Sequence, residues 1–152
     1  MQMASKSGRR WSRNAKVKHL AQVPLFDACS KTDLARIASL ADELDVPAGR
    51  VLMRQGEFGH ECFVILDGEA KVSFRGRRAA KLGPGDCFGE MALLQPRGQR
   101  SATVTAATDM DLLVLGSREF SSMIEKVPSV GLKVMTAVAD RLREAERGQT
   151  AH

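Results

Sequence analysis

The chain has 152 residues, 43% of them hydrophobic, which is enough for one domain with its own core and leaves no room for a second large one. No run of about 18 apolar residues occurs, so no stretch reads as a membrane-spanning helix. Against 18 Asp and Glu stand 23 Lys and Arg, a net charge of +5 that suggests an anionic partner.

That charge is unevenly placed. Residues 1–20 hold Lys6, Arg9, Arg10, Arg13, Lys16 and Lys18 with no acid, so the arm carries +6 and the remainder −1. Residues 1–16 read as a flexible basic arm that includes Trp11, the only tryptophan. It is a solvated tail or a contact for an acidic surface. Without an apolar stretch it is not a secretory signal. Cys29, Cys62 and Cys87 are odd in number and lack a CxxC spacing, as expected for reduced thiols in a cytoplasmic protein. His60 and Cys62 could touch one metal but lack a matching second pair, so no metal is expected.

Along the chain, residues 17–26 are mixed, and Pro24 limits any helix there. Ser30 precedes Leu34, Ile37, Ala38 and Ala41 at helical spacing, with Asp33 in the first turn, which predicts a helix over Lys31–Ala41. From Asp42 the texture changes to short strands punctuated by glycine. Cys62–Leu66 is a continuous apolar run, and Asp67-Gly68 is a hairpin signal. Ala70, Val72 and Phe74 alternate with polar residues, as in a half-buried strand. Thr103–Ala106 and Met110–Leu115 complete about eight strands, a number and spacing that indicate a barrel or roll. Ser117 reads as the cap of a helix through Ile124, and Pro128 as the opening of another through Arg147. The fold class is mainly β with flanking helices: an eight-stranded β-roll with a short embedded helix and two C-terminal helices. Residues 17–147 make the domain and 148–152 a tail.

One segment breaks the strand pattern. Phe88-Gly89-Glu90-Met91-Ala92-Leu93-Leu94 reads as a single helical turn within the roll. Such a start presents backbone N–H groups at Met91 and Ala92, and Gly89 lets a ligand approach closely. Arg100 returns about ten residues later with a guanidinium that can fork onto two phosphate oxygens. Glu90 suits a sugar hydroxyl better than a phosphate. Phosphate plus ribose is the implied ligand type.

Phe88-Gly89-Glu90-Met91-Ala92-Leu93 followed by Arg100-Ser101-Ala102, with glycine turns at Gly49, Gly56, Gly68 and Gly85, resembles the cyclic nucleotide-binding domain of catabolite activator protein, cyclic-AMP-dependent kinase regulatory subunits and nucleotide-gated channels. The resemblance covers about Val17 to Arg147. It implies that Arg100 pairs with the phosphate, that Glu90 holds the ribose 2′-hydroxyl, and that Gly89, Met91, Ala92 and Ala102 offer backbone donors. Ser101 would touch phosphate and reach the base, a position whose serine points to cyclic AMP, with cyclic GMP as the alternative. A base cap would come from Leu142, Arg143 or Ala145 in the last helix. No cofactor and no catalytic group is implied. The family's transcription factors carry a winged helix that is not found before His152, so the expected output is an unknown effector protein, a further region of a longer chain, or none. A long dimer seam is not expected, because the last helix turns charged soon after Val138. Two other classes stay open at this point. One is a cupin-type metalloprotein, poorly served by the scattered His19, His60 and His152. The other is a non-binding fold relative that acts as a docking module.

Overall fold

The computed structural model describes residues 11–95 and 97–150. Eight strands form two antiparallel four-stranded sheets. β1 (Asp42–Val46), β8 (Met110–Gly116), β3 (Glu61–Asp67) and β6 (Cys87–Phe88) lie in that order in one sheet; β2 (Val51–Met53), β7 (Thr103–Ala106), β4 (Ala70–Phe74) and β5 (Arg77–Leu82) lie in the other. The apolar run of β3 is explained by its place between two layers. Cys62, Val64 and Leu66 face a helical layer, while Phe63 and Ile65 face the second sheet. β8 does the same, with Leu113 and Leu115 toward the helices and Met110 and Leu112 toward the sheet. Successive side chains on a strand point to opposite faces, so a strand buried on both sides loses its alternation.

The helical layer is α1 (Arg13–Leu20), a 3₁₀ turn at Pro24–Phe26, α2 (Lys31–Leu40), α3 (Ser117–Lys126) and α4 (Pro128–Thr150). α2 starts with a capping box: the Ser30 Oγ accepts from the Asp33 amide at 3.1 Å, and the Ser30 amide donates to Asp33 Oδ2 at 2.9 Å. The same Asp33 oxygen accepts from Lys133 Nζ of α4 at 2.6 Å, which ties the first turn of α2 to the last helix. These two contacts outweigh burial and hold the Asp33 carboxyl below its ordinary range.

Three expectations change in detail. Residues 1–10 of the arm lie outside the described residues, but the arm's end is part of the fold. Arg13 opens α1 after a Ser12 cap, and Trp11 donates from its backbone to Glu43 at 3.1 Å and from its indole to Asp111 at 3.2 Å. Lys16 pairs with Glu43 at 2.9 Å. Acids on β1 and β8 thus hold Lys16 and Trp11, which read as part of a solvated arm. At α3, Gly116 occupies the cap position and Ser117 is the first helical residue, because the Ser117 amide donates to the His60 carbonyl at 2.8 Å. α4 runs to Thr150, past the expected end at Arg147, and the tail residues 151–152 lie outside the described residues. No helix among the described residues is long and apolar enough to cross a membrane.

Candidate functional site

The embedded helix is a 3₁₀ turn over Glu90–Leu93, entered from β6 through Gly89 at φ 75°, ψ 15°. That left-handed conformation favours glycine. A Cβ at Gly89 would stand 2.8 Å from Arg100 Nη1 and 2.9 Å from the Glu61 carbonyl oxygen, so the position also needs the space. The turn closes with the Ala92 amide donating to the Gly89 carbonyl at 3.1 Å. This is a correction to the expectation of an open donor at Ala92. A 3₁₀ turn bonds i to i+3 and takes up that N–H one residue earlier than an α-helix does.

Arg100 is positioned by its backbone. Its amide donates to the Glu57 carbonyl at 2.7 Å, and its carbonyl accepts from the Gly56 amide at 2.8 Å, with Phe58 and Gln99 bridged beside them. The guanidinium then projects over the Phe63 ring, 6.0 Å from its centroid, and Nη1 lies 3.5 Å from the Gly89 carbonyl. Phe63 is stacked on Phe88 at 4.8 Å. This aromatic pair backs the arginine and links it to the strand that leads into Gly89. Partial burial pulls the Arg100 guanidinium below its ordinary pKa, with Glu61 and Cys62 acting in the opposite direction. A partly desolvated cation beside a cavity is poised to gain from an anion.

The cavity is about 240 Å³, lined by Gly89, Glu90, Met91, Ala92, Arg100 and Ser101 of the expected residues. Ala102 is half-buried just before β7 and is not part of this lining. Leu142, Arg143 and Ala145 are exposed on α4 and line neither this cavity nor its neighbour, and Arg143 faces Asp140 at 3.6 Å. The structure therefore brings the two halves of the cassette together and does not bring the expected base cap to them. α4 instead packs on α3 and on the Pro24–Phe26 turn.

A larger cavity of about 620 Å³ adjoins the first and shares Met53, Gly59 and Arg100 with it. Gly59 is a contributor outside the expected set of site residues. A Cβ there would stand 1.9 Å from Arg100 Nε, so the bare backbone makes the channel along which the arginine side chain lies. Cys62, directly under this site, is fully buried, and desolvation raises its pKa well above the ordinary thiol value. It is a packed thiol with little thiolate character. Among the described residues no three His, Cys, Asp or Glu side chains cluster as a metal site would require.

Known proteins share this fold. The N-terminal domain of a transcriptional regulator from Streptomyces coelicolor A3(2) superposes with a TM-score of 0.77 at 31% identity, over 82% of this chain and 90% of that one. The regulatory domain of Toxoplasma gondii protein kinase A, solved with cyclic AMP, does so with a TM-score of 0.66 at 30% identity, over 79% of this chain and 46% of that one. A cyclic nucleotide-gated potassium channel of Mesorhizobium japonicum is 40% identical over 111 residues, which is 73% of this chain and 30% of the channel. The chain spans about a third to three fifths of the length of the curated relatives it matches. A family model for the cyclic nucleotide-binding domain, a regulatory ligand-binding module, matches residues 43–127, and the chain belongs to that family.

Proposed function

We propose that this chain is a regulatory module that binds cyclic AMP in the cavity between Gly89–Ala92 and Arg100–Ser101 and performs no chemistry on it. The observation that carries this reading is the Arg100 guanidinium, partly buried, 3.5 Å from the carbonyl at the left-handed entrance of the cassette turn. In this reading Arg100 forks onto the cyclic phosphate, Glu90 accepts from the ribose 2′-hydroxyl, and the backbone at Gly89 and Met91 adds donors. Ser101, exposed at the rim, touches phosphate and base edge. The cyclic AMP held by the Toxoplasma relative supports the choice of base. The response to binding passes to a partner protein through the helices that follow β8.

Calorimetry with cyclic AMP and cyclic GMP side by side tests the proposal. Cyclic AMP has about 22 non-hydrogen atoms, and at about −0.3 kcal/mol each a dissociation constant in the tens of micromolar or tighter is expected. Cyclic GMP is expected to bind more weakly. No heat from either nucleotide at millimolar concentration would leave the docking-module reading in its place.

A substitution at Gly59 separates the site from the fold. In Gly59→Ala the new Cβ displaces the far end of a flexible side chain rather than backbone, so the cost to stability is about 1 kcal/mol or less. Arg100 must leave its channel, and cyclic AMP affinity is expected to fall at least about tenfold. A thermal melt and a calorimetric titration of the same sample check both halves.

A further inference from the structure

The body of the fold is nearly neutral in sum, but one element is not. The β4–β5 hairpin, residues 70–82, carries Lys71, Arg75, Arg77, Arg78 and Lys81 and no acid. β5 is an edge strand, paired only with β4, and Arg77 through Lys81 are all exposed.

Two local features run against what a hairpin ordinarily prefers, and both place cations. Lys71 stands directly opposite Lys81 in the antiparallel register, a like-charge cross-strand pair, relieved in part by Glu69, just outside the hairpin, whose Oε1 lies 3.6 Å from Lys81 Nζ. Arg75 has φ 53° beside Gly76 at φ 79°, so an arginine fills a left-handed turn position where Asn, Asp or Gly is the usual choice. The turn is braced: the Arg75 amide donates to Gln55 Oε1 at 2.8 Å, and its guanidinium lies 5.2 Å over the Phe74 ring. Phe74 is left 46% exposed at the tip. Departures from local preference that all point one way mark a functional surface.

We infer that the tip of the β4–β5 hairpin is a docking surface for an anionic lipid bilayer. A projecting aromatic ring flanked by arginines fits a plane of negative head groups with apolar chains behind it. Addition of a peptide strand to β5 fits less well, because the register shifts at Val72–Ser73 and the edge is lined with cations, both of which blunt strand pairing. A nucleic acid fits less well too, because neither cavity is lined by hairpin residues and a single aromatic makes no stacking platform. This surface is independent of the nucleotide cavity.

The test is sedimentation of the full chain with vesicles of phosphatidylcholine alone and with about a third phosphatidylserine. Binding to the mixed vesicles, lost on phosphatidylcholine and weakened by salt, is expected. Each cation near the surface contributes about fivefold, so the combined Arg75→Gln, Arg77→Gln and Arg78→Gln variant is expected to bind about 100-fold more weakly. Phe74→Ser is expected to weaken binding several-fold while leaving its salt dependence unchanged. Changing Lys6, Arg9 and Arg10 to Gln controls for the arm and is expected to leave most of the binding in place. Circular dichroism and cyclic AMP titration verify that the variants are folded. The inference is overturned if wild type ignores the mixed vesicles, or if the hairpin variant binds them as wild type does. Binding carried by the arm alone, or binding of a DNA duplex but not vesicles through the same arginines, also overturns it.

Discussion

Arg100→Ala is expected to weaken cyclic AMP binding by about 2–5 kcal/mol, roughly 30-fold to several thousand-fold, with little loss of stability. The size follows from what is left behind. Without the guanidinium, the phosphate enters a partly desolvated site and keeps only backbone donors. The fold is spared because the bonds that anchor this loop, to Glu57 and from Gly56, use the backbone of residue 100 and survive any side-chain change. Arg100→Lys should fall between the two, since an ammonium keeps the charge but loses the planar fork. Calorimetry on wild type and both variants decides the matter; equal affinities across the three would remove Arg100 from the site.

Phe120→Ala carries the largest expected cost to stability, about 3–5 kcal/mol. The ring has no exposed surface, packs in the helical-layer core and meets Phe26 at 6.0 Å between centroids. Its removal opens a cavity where α3 meets the Pro24–Phe26 turn. In a chain of this length the midpoint of thermal unfolding should drop by about 10–15 °C. A drop of only a degree or two, followed by circular dichroism, would mean that α3 is not held at this joint. If cyclic AMP binds the native state alone, saturating nucleotide restores part of the lost midpoint.

Much of this was legible without coordinates, for local reasons. The roll follows from alternation and glycine turns, and β3 and β8 stand out because both faces are buried. The cassette was legible because its two halves lie within about ten residues of each other and each uses residue types with few substitutes: glycine for a left-handed start, arginine for a phosphate. What escaped depends on distance along the chain. Trp11 meets a carboxylate 100 residues away, and α1 has too few apolar positions to announce itself. Gly59 matters only through the arginine that lies against it, a relation no spacing encodes. Leu142, Arg143 and Ala145 fall on the outward side of α4 because packing on α3 decides which face of that helix turns inward. The segment charges also misled: a remainder of −1 conceals a hairpin in which every charge is positive.

The placement of Trp11 has a practical consequence for spectroscopy. Its indole is bonded to Asp111 and meets the edge of His19, and it is not part of the lining of either cavity beside Arg100. As the sole tryptophan, it is the chain's only intrinsic indole fluorophore. A nucleotide in the cassette does not quench it by touch. With excitation beyond the nucleotide's own absorption, a change in emission on titration reports a rearrangement around Trp11, held by Glu43 of β1, Asp111 of β8 and His19 of α1, and so measures transmission apart from occupancy.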